Sequence, residues 1–232
     1  MKKIAIIGAM EKEVQTLKSR MTDVKITEKA GMAFYEGKLA GTDAVVVRCG
    51  VGKVHAAMCV QALADLFAPT NIINTGIAGS LNADLDIGDI LVSADAIQHD
   101  FNVSVFGYPR GQVAGTEKRE FDADPTMVRC ALDACAALNP PVKARPGRVV
   151  SGDQFICDKA VKDDLIAEFA GDCCEMEGAA IAQAAARNGI PFVILRAISD
   201  KADGSAELDY PTFEKMAAEV SARLAEALAA KL

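Results

Sequence analysis

Ile4-Ala5-Ile6-Ile7-Gly8-Ala9-Met10-Glu11-Lys12-Glu13 is the stretch on which the fold turns. Four consecutive apolar residues halted by a glycine suit a strand covered on both faces, because neither side of the pleat then meets water. Glu11 to Arg20 follows with Val14 and Leu17 at helical spacing. The segment therefore predicts strand, turn and helix, the repeating unit of an α/β protein. Met1-Lys2-Lys3 ahead of the apolar run has the outline of a secretory leader, but Glu11 and Glu13 cut the run short and no small-residue cleavage site follows, so it reads as a first strand.

The chain beyond this unit continues the alternation. Ala33 to Leu39 and Asp43 to Val47, divided by Gly41, predict a hairpin, and Lys53 to Phe67 a helix. Asn71 to Gly76 predicts a second buried strand that gives way to a loop of small residues, Ile77-Ala78-Gly79-Ser80, where backbone N–H groups can approach a ligand. Ile87 to Ala94 predicts another strand. His99 to Phe121 is polar, glycine-containing and without period, and a connection of that length suits a substrate lid or a subunit contact. Pro125 to Leu138 predicts a helix with Pro in its first turn. Arg148 to Asp153 ends a further strand, Glu177 to Arg187 is an alanine-rich helix closed by Asn188-Gly189, and Phe192 to Ile198 is the last strong strand. From Pro211, apolar residues at Phe213, Met216, Ala217, Val220, Leu224 and Leu228 predict an amphipathic helix. The expected fold is α/β, one domain over residues 1–232, with a mixed, largely parallel central sheet between helices on both sides in a three-layer sandwich.

Composition narrows the function. With 51% apolar residues in 232, there is enough sequence for one substantial core. A net charge of −7 and no basic run longer than two residues argue against a nucleic-acid surface, which needs clustered Lys and Arg. No stretch approaches the roughly 20 apolar residues that span a bilayer. Seven cysteines, odd in number, without C-x-x-C pairs and mostly inside apolar runs, suggest buried reduced thiols in a cytoplasmic protein. The partner is thus a small molecule rather than nucleic acid or membrane.

Familiar site motifs are absent. Gly50-Val51-Gly52-Lys53 fails as a P-loop, since Val47 stands where the first glycine belongs and Val54 where Ser or Thr would hold magnesium. Gly8 lacks the further glycines of a dinucleotide fingerprint. His55 and His99 have no His or Cys partner at metal-ligand spacing, so no metal is expected. No Gly-x-Ser-x-Gly elbow occurs. What survives is a set of carboxylates at element ends: Glu13, Glu175 with Glu177, and Asp200. Singly, Glu13 suits a first helical turn and Asp200 a cap.

Together they carry a resemblance. Gly8-Ala9-Met10 leading to Glu13, Asn74-Thr75-Gly76 with Ala78-Gly79, Val103 to Tyr108, Ser151-Gly152-Asp153 with Phe155-Ile156, Glu175-Met176-Glu177, and Arg196-Ala197-Ile198-Ser199-Asp200 resemble, in order, the bacterial 5′-methylthioadenosine/S-adenosylhomocysteine nucleosidases. The resemblance implies a nucleoside phosphorylase type of fold, a homodimer, and hydrolysis of the adenine–ribose bond of both nucleosides without metal or organic cofactor. It casts Asp200, placed by Ser199, as the acid that protonates the base, and Glu13 as the base that deprotonates water, with Arg196 holding that cluster. Glu177 would bind the ribose hydroxyls above Met176. Phe155 would stack on adenine, the backbone of Ile156 read its edge, and Ala78 and Gly79 line the nearby wall. Met10, Val51 and Tyr210 match the alkylthio end, while Val103 and Phe106 match positions that reach into the partner subunit. Two departures are Ile77, where some relatives carry a serine near the water, and Ala114, where some carry a proline.

Cleaving an N-glycosidic bond builds positive charge on the sugar and negative charge on the leaving base, which asks for a proton donor on one side and a carboxylate on the other. A phosphorylase of the same fold would need arginines around the anion, where the acidic Glu13 repels it. The same residues also admit hydrolysis of aminodeoxyfutalosine, or nucleoside binding without catalysis.

Overall fold

The computed structural model describes residues 2–232, apart from the side chains of residues 207 and 208; Met1 of the leader-like opening lies outside the described residues. Strand β1 (Ile4–Gly8) is buried at every position and leads into α1 (Glu11–Arg20), as the opening stretch predicts. Ala5 and Ile7 face one core cluster while Ile4 and Ile6 face the other, so an unbroken apolar run serves two cores through the two-residue period of the strand.

Strands β2 (Thr22–Lys29), β3 (Met32–Leu39) and β4 (Thr42–Arg48) form an antiparallel meander, which contains the predicted hairpin. Helix α2 (Lys53–Phe67) follows, then β5 (Asn71–Ser80), β6 (Ile90–Gln98) and the two-residue β7 (Phe121–Asp122). Helix α3 (Pro125–Ala137), β8 (Ala144–Ser151), α4 (Lys159–Phe169), β9 (Cys173–Glu175), α5 (Gly178–Arg187), β10 (Phe192–Asp200) and α6 (Ala206–Lys231) complete the chain. Asp124 and Asp158 start α3 and α4 by accepting two backbone N–H bonds each, a cap worth about 1 kcal/mol.

All ten strands of the described residues join one mixed sheet in the order β10-β6-β8-β9-β5-β1-β4-β3-β2, with β7 on β6. Strand β10 also pairs with β5, so the β10-β6-β8-β9-β5 half closes on itself, a curl that the sequence pattern does not announce. The pairings β1–β4, β1–β5, β5–β10, β6–β8 and β8–β9 are parallel. Helices cover both faces as expected: α2 and α5 pack on one through Cys59, Val60, Leu63, Ala182 and Ala185, and α1, α3 and α6 on the other through Val14, Leu17, Met127, Ala131, Leu224 and Leu228. Helix α4 closes a third cluster with Leu165 and Phe169. Among the described residues no helix is long and apolar enough to cross a membrane.

Several boundaries differ from the sequence reading. The small-residue segment Ile77–Ser80 is strand, not loop, because β5 runs on to pair with β10 and, at Gly79 and Ser80, with β9. Strand β6 starts at Ile90 and extends to Gln98, held by parallel pairing with β8. Helix α6 begins at Ala206, so Pro211 falls inside it rather than opening it. Strands β2 and β9 and helix α4 were not predicted. The segment from His99 to the start of β7 is irregular apart from a 3₁₀ turn at Ser104–Phe106, in line with its composition.

Candidate active site

Parallel strands align their C-terminal ends, and here the ends of β1, β5 and β10 share one edge of the sheet. A largely apolar cleft of about 500 Å³, its open side included, lies there. Glu13, Glu177 and Asp200 all border it, together with Met10, Val51, Ala78, Gly79, Phe155, Met176, Ser199 and Tyr210. Ile156 lines an adjoining recess that shares Gly79, Phe155, Met176 and Asp200 with the cleft. Arg196 is not at the surface of the cleft but beneath it, 2% exposed. Val103 and Phe106 stand apart from the cleft on the long irregular segment, Phe106 being 76% exposed.

Asp200 is the last residue of β10 and is buried. Its Oδ1 accepts the Ala202 N–H at 2.8 Å and its Oδ2 accepts the Ser199 hydroxyl at 2.8 Å. Burial raises its pKa, and those two bonds only partly oppose the rise. Ala202 takes a left-handed backbone (φ 51°) to aim its N–H, a conformation that costs a residue with a Cβ about 1–2 kcal/mol.

Glu13 occupies the first turn of α1 and also faces the cleft, so the structural and functional readings of this residue describe one side chain. Oε2 accepts the N–H groups of Ala9 at 2.7 Å and Met10 at 2.8 Å, and Oε1 accepts that of Ile77 at 3.3 Å. The contact to residue 77 uses the backbone, so isoleucine in place of serine leaves it intact. Burial raises the Glu13 pKa, against the pull of the Arg196 charge and of these three N–H groups.

Both carboxylates lean on β5 where it has no side chain. A Cβ added at Gly76 would lie 2.7 Å from Glu13 Oε1 and 3.1 Å from Arg196 Nη1, and one at Gly79 would lie 2.7 Å from Asp200 Oδ1. The small residues of this strand therefore make room for acids rather than for a loop.

Among the described residues the Glu177 carboxylate accepts one hydrogen bond, from the Gly52 N–H at 2.7 Å to Oε1. Burial, and next the neighbouring Glu175 charge, push its pKa up to about 8. The Gly50-Val51-Gly52 turn, which fails as a phosphate loop, thus serves the site through its backbone. Glu175 behaves oppositely: burial would raise it, but Arg196, the Ser151 hydroxyl and the Gly178 N–H outweigh that and hold its pKa below the usual carboxylate range. Arg196 donates through Nε and Nη2 to Glu175, and through Nη2 to Asn74 Oδ1 at 2.5 Å. Glu175 and Cys174 also border the cleft and were not among the predicted site residues; the acidic triplet hinted at the first, and nothing in the sequence at the second.

The rim is apolar. Phe155 meets Tyr210 edge-on with centroids 5.4 Å apart, and the Tyr210 hydroxyl lies 3.4 Å from Met10 Sδ. Asp100 is structural: it pairs with Lys53 at 2.5 Å and accepts the Asp153 N–H at 3.0 Å. Among the described residues no three His, Cys, Asp or Glu side chains gather as ligands for a metal.

This fold, with acids converging where parallel strands end, defines a class, and residues 3–231 match the profile of the Phosphorylase superfamily. A 5′-methylthioadenosine/S-adenosylhomocysteine nucleosidase of Shewanella halifaxensis (strain HAW-EB4) is 42% identical over 231 residues, covering 99% of this chain and 100% of that protein. The enzyme so named from Neisseria meningitidis, solved with methylthio-immucillin-A, superposes with a TM-score of 0.96 at 36% identity over all of both chains. That from Colwellia psychrerythraea 34H, solved with adenine, gives a TM-score of 0.96 at 38% identity over 100% of this chain and 96% of that one. Within the superfamily, the chain belongs to the 5′-methylthioadenosine/S-adenosylhomocysteine nucleosidases.

Proposed function

We propose that the protein hydrolyses the adenine–ribose bond of 5′-methylthioadenosine and S-adenosylhomocysteine, releasing adenine and the thio-sugar. The observation that carries this reading is the meeting of Asp200, Glu13 and Glu177 on one cleft with an apolar rim. Asp200, raised by burial, is suited to hold a proton near neutral pH and to give it to N7 of the leaving adenine. Phe155 stacks on the base, the Ile156 backbone reads its edge, and Ala78 and Gly79 form the wall beside the acid. Across the ribose, Glu13 takes a proton from the attacking water while the Arg196 charge opposes its neutralisation. Glu177 holds the ribose hydroxyls over Met176 and, when ionised, favours the oxocarbenium-like transition state. Met10, Val51 and Tyr210 receive the alkylthio group, whose apolar character suits them.

The working unit in this proposal is a homodimer in the cytoplasm. Val51 at the cleft, Val54 and Met58 on α2, and Val105 and Phe106 on the irregular segment leave large apolar side chains 45–85% exposed, a surface that association would cover. Val103 and Phe106 would then complete the neighbouring subunit's alkylthio pocket. All seven cysteines are unpaired, as in a reducing compartment.

The test is incubation with each nucleoside, with and without phosphate, identifying the sugar product. Adenine release at full rate without phosphate, with free thio-ribose as the product, is the expected result. Strict dependence on phosphate with a sugar 1-phosphate product would make it a phosphorylase, and no release from either nucleoside would leave binding alone.

A further inference from the structure

Glu175 borders the cleft, yet it has nothing to offer a substrate. Its two oxygens take the Ser151 hydroxyl, the N–H groups of Glu177 (3.1 Å) and Gly178 (2.8 and 3.0 Å), and Nε and Nη2 of Arg196. Five donor atoms meet the roughly four lone-pair sites of a carboxylate, so every acceptor site is used. Two of those donors are the backbone N–H groups of Glu177 itself and of the residue after it. Glu177 stands at the start of α5 with φ −134° and ψ −36°, and its own carboxylate makes no cap bond; Glu175 does the capping.

We propose that Glu175 is a positioning residue that acts through Glu177: it pins the turn that aims the Glu177 carboxyl at the sugar end of the cleft, and Arg196 and Ser151 hold it in place. The inference rests on the reading of Glu177 as the sugar-side carboxyl. One buried acid, kept ionised by Arg196, sets both the place and the charge of a second. The charged and titratable groups facing Glu177 are Glu175 on β9, Arg196 on β10, Glu13 on α1 and the Cys49 thiol after β4, with the Gly52 N–H ahead of α2. Of these, Glu175 is the strongest influence keeping Glu177 protonated after burial itself.

The experiment compares the full-length wild type with Glu175→Gln, Glu177→Gln and the double variant. It measures kcat and KM for methylthioadenosine across pH, free-adenine binding and melting temperature. Glu175→Gln is expected to lose roughly 10²-fold in kcat/KM, the effect of misplacing a reacting group by about 1 Å. Its adenine affinity should stay within about twofold, because the base lies away from Glu177. The acidic limb of its kcat/KM profile should move down by about one pH unit once the like charge is gone. The double variant should be no worse than Glu177→Gln within about twofold. If Glu175→Gln does not fold, Glu175→Asp takes its place. It keeps the charge but draws it back by one methylene, and it should show the same non-additivity with Glu177→Gln. Losses that multiply in the double variant, an unmoved limb in Glu175→Gln, or adenine affinity falling in step with turnover would each reduce Glu175 to a structural residue and overturn the inference. A wild type that releases no adenine would remove the functional reading and this inference with it, whereas an active wild type with additive variants removes the inference alone.

Discussion

At the scale of the residue, ionisation follows from burial and from what each oxygen touches. Asp200 and Glu175 are both buried acids, yet the first is raised and the second lowered, because only the second has a guanidinium beside it. Replacing Asp200 by Asn keeps the shape and removes the proposed proton donor, so kcat is expected to fall by about 10²–10⁴ while binding of a substrate analogue changes little. Turnover equal to wild type in a single-turnover assay would assign the acid elsewhere. Asp200 and Glu13 were legible in the chain because each sits where an apolar run stops. The capping role of Glu175 was not, since its partners Ser151 and Arg196 come from strands 24 and 21 residues away in sequence. Arg196 itself was visible as part of a motif, but its burial under the cleft depends on pairing that only the closed sheet provides.

At the scale of the element, β5 does the most for the site. It pairs with β1, β9 and β10 and so brings the strand ahead of Glu13, the segment holding Glu175 and the strand ending in Asp200 side by side. Its length was underestimated from sequence because Ile77-Ala78-Gly79-Ser80 has loop-like composition, whereas in the fold small side chains are what close pairing beneath two carboxylates requires. Gly76→Ala is expected to destabilise the protein by about 1–3 kcal/mol, as overpacking does. It should also lower kcat at least about tenfold through displacement of Glu13. Thermal melting and steady-state rates check this, and a variant matching wild type in both would show that the strand yields at no cost. Strand β2 went unread for the opposite reason: nearly all its residues are exposed, and its alternation rests on just two apolar side chains, Val24 and Ile26, too short a pattern to mark a strand. Helix α5 was read one residue early because its start is set by the Glu175 cap rather than by its own sequence.

At the scale of the whole molecule, three raised carboxyls make the unliganded protein sensitive to alkali. A group whose pKa is higher folded than unfolded contributes stability that is full below its unfolded value and disappears as pH rises through its folded value. For Glu177 that window runs from about 4.5 to about 8, and Glu13 and Asp200 act in the same direction. Glu175 acts in the opposite sense, its contribution being lost only as pH falls below the ordinary carboxylate range. The melting temperature of the wild type is therefore expected to decline between pH 5 and pH 9, and that of Glu177→Gln to decline less, so the variant overtakes at the alkaline end. Parallel curves in differential scanning calorimetry would contradict the assignment. The alternation of strands and helices, the two-sided sheet and the gathering of acids at one edge were all legible in the chain. The closure of the sheet was not, because it depends on β10 having partners on both sides. Glu13 is held by three backbone N–H groups before any ligand arrives, whereas Met10 and Tyr210, proposed for the alkylthio end, meet each other only through side chains. An incoming nucleoside thus finds a finished seat under an adjustable collar. Changing which tail the enzyme prefers is accordingly a matter of resculpting the collar, with the chemistry underneath left alone.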